Sequence, residues 1–190
     1  MKLARILPFC RELLASAVGP GDAAVDATAG NGHDTALLAD LAGESGKVFS
    51  FDIQAEAIAA TSKRLQELNL HNRVTLFHKG HEHAERSIPE VYHGTIAGAV
   101  FNLGYLPGGD KSIVTSPTFT IESIKQLLRI MKPEGIIVLV IYHGHPEGKL
   151  EKEEVMDFVK NLPQDEAHVL QYQFINQKND PPFICAIEKR

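Results

Sequence analysis

The segment from Val25 to Thr35 constrains the fold of this chain more than any other part of its sequence. It reads Val-Asp-Ala-Thr-Ala-Gly-Asn-Gly-His-Asp-Thr and continues a short apolar run, Ala23 to Ala27. A helical pattern follows from Asp34 to Leu41, so the segment predicts a strand, a tight turn and a helix. Backbone N–H groups at the start of such a helix can face a ligand, and Gly30 and Gly32 let the ligand approach closely.

The carboxylate of Asp26 indicates which ligand would fit. At the end of the first strand it would repel a pyrophosphate, but it can accept a hydrogen bond from an ammonium group. The turn also lacks the third glycine of the dinucleotide fingerprint G-x-G-x-x-G. A zwitterion such as the methionine part of S-adenosylmethionine suits this turn better. Asp34 or Thr35 can cap the helix that follows. The alternative is a tight turn between strand and helix that binds no ligand.

A second acidic residue supports the ligand interpretation. The β-prone run from Lys47 to Ile53 contains Asp52 near its end, about 20 residues past the turn. That spacing is typical of an acid that binds ribose hydroxyls in a nucleotide-binding unit. The alternative is that Asp52 caps the helix that begins near Ala55. Together with the turn, it predicts a ligand with an amino-acid end and a ribose end.

Composition limits the class of protein. The chain has 190 residues, 44% hydrophobic and 23% charged, so we expect a single domain over 1–190. No apolar run is long enough to span a bilayer, and Cys10 and Cys185 have no metal-like spacing. We therefore expect a cytoplasmic protein without a metal. The net charge of −5 disfavours broad binding along nucleic acid, but a local basic patch for one folded RNA stays open.

Strand and helix patterns alternate along the chain, which predicts a mostly parallel sheet with helices on both faces. Further strands are predicted at 74–78, 95–102, 136–141, 168–174 and 183–188. Helices are predicted at 3–18, 55–68, 119–131 and 150–162, with a loop at 103–117 and turns at 132–135 and 176–180. The last turn predicts a hairpin and an antiparallel last strand. The loops after Ala27, Asp52, His78, Asn102 and Ile141 should meet at one edge of the sheet.

Three stretches resemble a known family. The stretches 26–35, 101–111 and 142–145 are similar to a bacterial family long labelled putative rRNA methylase, which includes tRNA 5-(aminomethyl)-2-thiouridine methyltransferases. The turn, Asp52 and the closing hairpin look like its Rossmann-like class I methyltransferase fold, whose mostly parallel sheet has seven strands. The likeness covers nearly the whole chain. Ala29 departs from it, because cysteine is often expected there.

The resemblance implies S-adenosylmethionine as cofactor and the anticodon arm of tRNA as substrate. The methyl group would go to the aminomethyl nitrogen of the wobble uridine at position 34. A homodimer that widens the RNA contact surface is possible. The fold usually contacts adenine after its third strand, which favours His81 or Glu82 over a metal site there. The predicted cofactor-binding residues are Asp26, Thr28, Gly30, Asn31, Gly32, Asp34, Thr35, Asp52, Ile53, His81 and Glu82.

Asn102 and Tyr105 match the ends of the Asn/Asp-Pro-Pro-Tyr/Phe pattern of amine N-methyltransferases, although Leu103 and Gly104 replace its prolines. In that pattern the Asn accepts amine hydrogens and the aromatic ring stacks on the base. The alternative is that Asn102 only ends a strand and Tyr105 packs in a loop. We predict Asn102, Tyr105 and Asp110 as catalytic, with Asp110, His143 and His145 as possible proton acceptors. The predicted substrate-binding residues are Leu103, Gly104, Gly108, Gly109, Lys111, Tyr142, His143 and His145.

Three alternative functions follow from the same residues. The same fold can methylate ribosomal RNA or a small amine. A nucleoside-binding module without catalysis would also use the turn and Asp52. An NAD-dependent oxidoreductase fits less well, because Asp26 and the missing glycine suit a dinucleotide poorly.

Overall fold

The computed structural model describes residues 2–104, 114–144 and 146–190. Seven strands form one sheet in the order β3-β2-β1-β4-β5-β7-β6. They are β1 (Ala23–Asp26), β2 (Lys47–Asp52), β3 (Val74–His78), β4 (Ile96–Leu103), β5 (Met131–Ile141), β6 (Ala167–Tyr172) and β7 (Phe183–Lys189). Strand β7 pairs antiparallel with both β5 and β6, while the pairs among β1 to β5 are parallel. This confirms the predicted mostly parallel sheet and its antiparallel last strand.

Helices cover both faces of the sheet, as the alternating pattern predicts. They are α1 (Ile6–Ala17), α2 (His33–Ala42), α3 (Ala55–Glu67), α4 (Ala84–Ser87), α5 (Pro117–Ile130) and α6 (Pro146–Lys160). One apolar cluster joins the sheet to α1, α2 and α3, and a second joins it to α4, α5 and α6. Alternate residues of one strand enter opposite clusters, so Ala24 lies in the first and Val25 in the second. No helix in the described part of the chain is long and apolar enough to cross a membrane.

The strand order places the ligand crevice. The chain runs outward from β1 through β2 to β3, then crosses to β4 on the other side of β1. Neighbouring parallel strands whose connections leave in opposite directions open a crevice at their carboxyl ends. That crevice lies between β1 and β4, so Ala27 and Asn102 meet there.

Several element boundaries differ from the prediction. The predicted turn at 132–135 lies inside β5, where pairing with β4 skips from Met131 to Ile136 and Glu134 has a φ of 63°. Helix α5 begins at Pro117, two residues earlier than predicted, because proline fits the first turn of a helix. Four short helices in the described part of the chain also went unpredicted, at His71–Arg73, His81–His83, Ala84–Ser87 and Glu90–Tyr92. Each is too short to show a hydrophobic period.

Candidate active site

The turn between β1 and α2 has the backbone conformation that its glycines predict. Gly30 and Gly32 have φ values of 53° and 76°. A Cβ at Gly32 would lie 2.9 Å from the Cα of Thr61 on α3, so close packing against α3 requires a glycine at this position. The capping prediction is wrong. Gly32 itself is the N-cap of α2, with no side-chain cap, and the side chains of Asp34 and Thr35 bond elsewhere.

Asp26 lies beneath the turn and is fully buried. Its Oδ1 accepts a hydrogen bond from the Thr28 N–H (3.1 Å), and its Oδ2 accepts one from the Thr35 hydroxyl (2.6 Å). Burial, and secondly the nearby Asp34 carboxylate, raise the pKa of Asp26 to about 7. Neither Asp26 nor Thr35 is among the residues that line the crevice, so direct contact with a ligand ammonium is not open to Asp26 in this conformation. Asp26 shapes the turn from below.

Asn102 at the end of β4 is held in one orientation. Its backbone N–H donates to the Thr28 hydroxyl (2.7 Å), and its Nδ2 donates to Oδ2 of Asp34 (2.8 Å). A carboxylate only accepts hydrogen bonds, so the amide nitrogen must face Asp34. The amide oxygen of Asn102 is thereby left as the acceptor for another group.

Asp52 closes the other side of the turn. Its Oδ2 accepts the Gly30 N–H (2.9 Å), and its Oδ1 accepts the Gln54 N–H (2.9 Å). Each carboxylate oxygen has a second lone pair. Asp52 lines the crevice, so its carboxylate can still accept hydrogen bonds from two hydroxyl groups. Glu82 and the exposed side chain of Ile53 line the crevice as well.

His81 provides a second acceptor on that side. It is buried, and its Nδ1 lies 3.0 Å from the carbonyl oxygen of Ala27, so Nδ1 carries the proton. Burial lowers the pKa of His81, which keeps the ring neutral and leaves Nε2 as an acceptor. Nε2 has no partner among the described residues. A buried acceptor without a partner is costly, and a hydroxyl or amino group of a ligand in the crevice would satisfy it.

The crevice consists of two cavities that share Thr28, Gly30, Asn102 and Gly104. The first, about 220 Å³, is the ribose-side cavity. It is also lined by Ala27, Asp52, Ile53, Gln54, Gly80, His81, Glu82, Val114, Thr115, Ser116 and Phe119. The second, about 650 Å³, is the amine-side cavity. It is also lined by Leu7, Arg11, Ala29, Asn31, His33, Asp34, Tyr142, His143, Gly144 and Asp180.

His143 repeats the arrangement of His81 in the amine-side cavity. It is 4% exposed, its ring meets Phe183 edge-on at 5.5 Å, and it makes a hydrogen bond to the backbone of Pro181. Proline has no N–H, so His143 donates to the carbonyl oxygen. Its Nε2 has no partner in the described part of the chain. Burial, and secondly Lys152, lower the pKa of His143, so its ring is also neutral.

The remaining predicted residues divide into two groups. Tyr105, Gly108, Gly109, Asp110, Lys111 and His145 lie outside the described residues. The side chain of Leu103 is fully buried in the core, so the predicted substrate contact of this residue would have to come from its backbone. Within residues 2–104, 114–144 and 146–190, no group of three or more His, Cys, Asp and Glu side chains is placed to hold a metal ion.

Sequence reasoning missed several lining residues. Leu7 and Arg11 reach the amine-side cavity from α1, Asp180 from the connection between β6 and β7, and Phe119 lines the ribose-side cavity from α5. None of them follows one of the five strand ends that the sequence singled out. The amphipathic pattern of α1 predicts a buried face, but it does not show which exposed residues lie beside the crevice.

The fold and the crevice together are those of a Rossmann-like methyltransferase. The model of the family described as Putative rRNA methylase matches residues 48–188. A structure described as a putative rRNA-methylase from Clostridium thermocellum is 44% identical, with a TM-score of 0.96 and full coverage of both chains. A Streptococcus mutans structure described as a putative methyltransferase in complex with SAH is 36% identical, with a TM-score of 0.89 and 99% coverage of both chains.

A curated relative from Arabidopsis thaliana is named tRNA (mnm(5)s(2)U34)-methyltransferase, chloroplastic. It is 38% identical over 177 residues, which are 89% of this chain and 64% of the relative. The chain thus spans somewhat less than two thirds of that protein. The chain belongs to the rRNA methylase family. This membership, and the bound SAH of the S. mutans relative, indicate S-adenosylmethionine as the cofactor.

Proposed function

We propose that the protein is a cytoplasmic enzyme that methylates the aminomethyl nitrogen of a modified uridine at wobble position 34 of tRNA. The name of the Arabidopsis relative supports this substrate. The observation that carries the proposal is the orientation of Asn102, whose amide nitrogen is bound to Asp34 while its amide oxygen stays available. An amide oxygen at the junction of the two cavities suits an amine that must meet a methyl donor.

The residues present fit S-adenosylmethionine. Asp52 has lone pairs for the two ribose hydroxyls, and His81 Nε2 can accept a hydrogen bond from a hydroxyl or from the adenine amino group. Asp34, rather than the buried Asp26, offers a carboxylate to the ammonium group. The bound cofactor supplies an electrophilic methyl group. The protein then has to hold and orient the two partners, which is the main source of rate enhancement in such a reaction.

The amine must lose a proton before it can attack, because an alkylamine is mostly protonated at neutral pH. His143 Nε2 is a neutral acceptor in the amine-side cavity. Its lowered pKa makes it a weak base, so it works only where the cavity also lowers the pKa of the amine. Asn102 Oδ1 accepts one amine hydrogen and fixes the nitrogen, while His143 accepts the hydrogen that leaves.

Positive charges beside the amine-side cavity support an RNA substrate over a small amine. Arg11 of α1 is exposed and lines the cavity. Lys152 of α6 is near enough to lower the pKa of His143, and so is Lys149, which also pairs with Asp180 (3.5 Å). Helices α1 and α6 pack on opposite faces of the sheet, so the cations flank the cavity from both sides. Such an arrangement can hold the phosphates on either side of an inserted nucleotide, although the chain as a whole is acidic.

A second candidate is the same N-methylation on ribosomal RNA, which the family description favours. The two candidates share the crevice and its chemistry, and they differ only in the RNA that is recognised. Comparing methyl incorporation into tRNA and into ribosomal RNA distinguishes them.

Asn102→Ala tests the carrying observation. Loss of the amide oxygen should lower kcat about 100-fold or more, the usual cost of a lost oriented polar group, and leave SAH affinity within about threefold. Steady-state methylation at saturating substrate measures kcat, and calorimetric titration of SAH measures its affinity. Asn161→Ala, on the surface at the end of α6, is the control and should match the wild type. An Asn102→Ala enzyme that keeps its kcat, or loses only SAH affinity, would contradict the proposal.

A further inference from the structure

Two hydrogen bonds between Gly104 and Thr115 form a closure just after β4. The Gly104 N–H donates to the Thr115 hydroxyl (3.0 Å), and the Thr115 N–H donates to the Gly104 carbonyl oxygen (3.2 Å). Gly104 and Thr115 both line the ribose-side cavity. Asn102 lies two residues before Gly104, so this closure holds both the wall of the cavity and the end of the strand that carries Asn102.

A buried carboxylate on α6 determines how that closure is oriented. Glu151 is 2% exposed, and it accepts hydrogen bonds from the hydroxyls of Thr115 and, at 2.8 Å, Thr120. A hydroxyl has one hydrogen to donate. Because Thr115 gives that hydrogen to Glu151, its lone pairs are turned toward the Gly104 N–H. The contact at Gly104 therefore depends on a carboxylate that is not itself among the described residues lining either cavity.

We propose that Glu151 is a positioning residue for the cofactor, acting through Thr115 on the Gly104 peptide. This rests on the proposed function, since it takes the ribose-side cavity as the cofactor site. A polar group held by a second hydrogen bond keeps its geometry, and a site that loosens by about 1 Å binds measurably worse. Helix α6, which carries Glu151, begins at Pro146, three residues after His143 of the amine-side cavity.

A purely structural role for Glu151 makes a different prediction. The hydrogen bonds that Glu151 accepts from Thr115 and Thr120 would then contribute only to the stability of α5 and α6, and losing either hydroxyl would have similar effects. In the positioning role the two hydroxyls differ, because only Thr115 contacts Gly104. Thr120 is fully buried and does not line either cavity among the described residues. It therefore provides the matched control.

Calorimetric titration of SAH into full-length variants, without RNA, tests the proposal. Thr115→Val keeps the side-chain shape but removes the hydroxyl, and it should weaken SAH binding about tenfold. Thr115→Ser restores the hydroxyl and should bind SAH within about threefold of the wild type. Thr120→Val should also stay within about threefold of the wild type, although its melting temperature falls as far as that of Thr115→Val.

Two results would overturn the proposal. One is unchanged SAH affinity in Thr115→Val, and the other is an equal loss of affinity in Thr115→Val and Thr120→Val. If the wild-type protein itself does not bind SAH, the proposed function fails and the positioning role fails with it. Because wild-type binding is measured first, that failure is distinguishable from a failure of the positioning role alone.

Discussion

Asp26 and Asp34 show how burial separates two carboxylates that look equivalent in the sequence. Asp26 ends β1 but is fully buried, and both of its oxygens accept hydrogen bonds from the turn and from α2. Asp34 opens α2, lines the amine-side cavity and orients Asn102. The pattern around the turn predicts that an acid is required there. Which of the two faces the ligand depends on how the turn folds over β1.

The raised pKa of Asp26 predicts how stability depends on pH. An unfolded Asp ionises near pH 3.8, whereas Asp26 in the fold keeps its proton to about pH 7. Between these values the folded state binds the extra proton, so stability falls as pH rises. The free energy of unfolding falls by about 4 kcal/mol between these two pH values, and this loss is complete once the pH exceeds about 7.

Asp26→Asn should remove this dependence, because an amide resembles the protonated acid. Its nitrogen can donate to Thr35, whose hydroxyl can then donate to Ser50. Urea unfolding at about pH 4.5 and pH 7.5 measures the effect. The wild type should lose about 2–4 kcal/mol more than the variant between these pH values. If the free energy of unfolding changed equally with pH in the two proteins, the raised pKa of Asp26 would be contradicted.

The turn from β1 to α2 is the element in which packing and ligand binding are most easily confused. The G-x-G spacing predicts a left-handed backbone, and both glycines adopt it. Gly32, however, is required by the backbone of α3, which no local pattern shows. Similarly, threonine is a residue type that often caps helices, but the hydroxyl of Thr35 donates a hydrogen bond to Asp26 because β1 ends directly beneath α2.

Gly32→Ala should destabilise the protein by about 2–4 kcal/mol, from the left-handed φ and from the contact with Thr61. Gly94→Ala separates the two causes. Gly94 has a similar φ of 81°, but nothing lies within 4 Å of its would-be Cβ, so only the cost of about 1–2 kcal/mol for φ should remain. Thermal or urea unfolding of both variants measures the difference. If both variants lost the same free energy of unfolding, the contact with Thr61 on α3 would not contribute to the cost at Gly32.

Across the whole molecule, the sequence predicts the sheet, its helices and the edge that carries the crevice. Alternating strands and helices predict the sheet, and the five strand ends predict the edge at which the crevice opens, with Asp52, His81 and Asn102 on its walls. Arg11, Phe119 and Asp180 reach that edge from elsewhere in the chain, so only the folded arrangement reveals them. The Thr115–Glu151 hydrogen bond likewise joins the residues just before α5 to helix α6, and no sequence pattern indicates that contact.

The central claim is that this crevice brings a methyl donor to an amine of wobble uridine. Purified protein with isotopically labelled S-adenosylmethionine and tRNA from cells that lack the protein tests it most directly. After digestion, mass spectrometry of the nucleosides should show the label on the aminomethyl group of uridine at position 34, and Asn102→Ala should lose it. Label in ribosomal RNA alone, or no label despite bound S-adenosylmethionine, would contradict the claim.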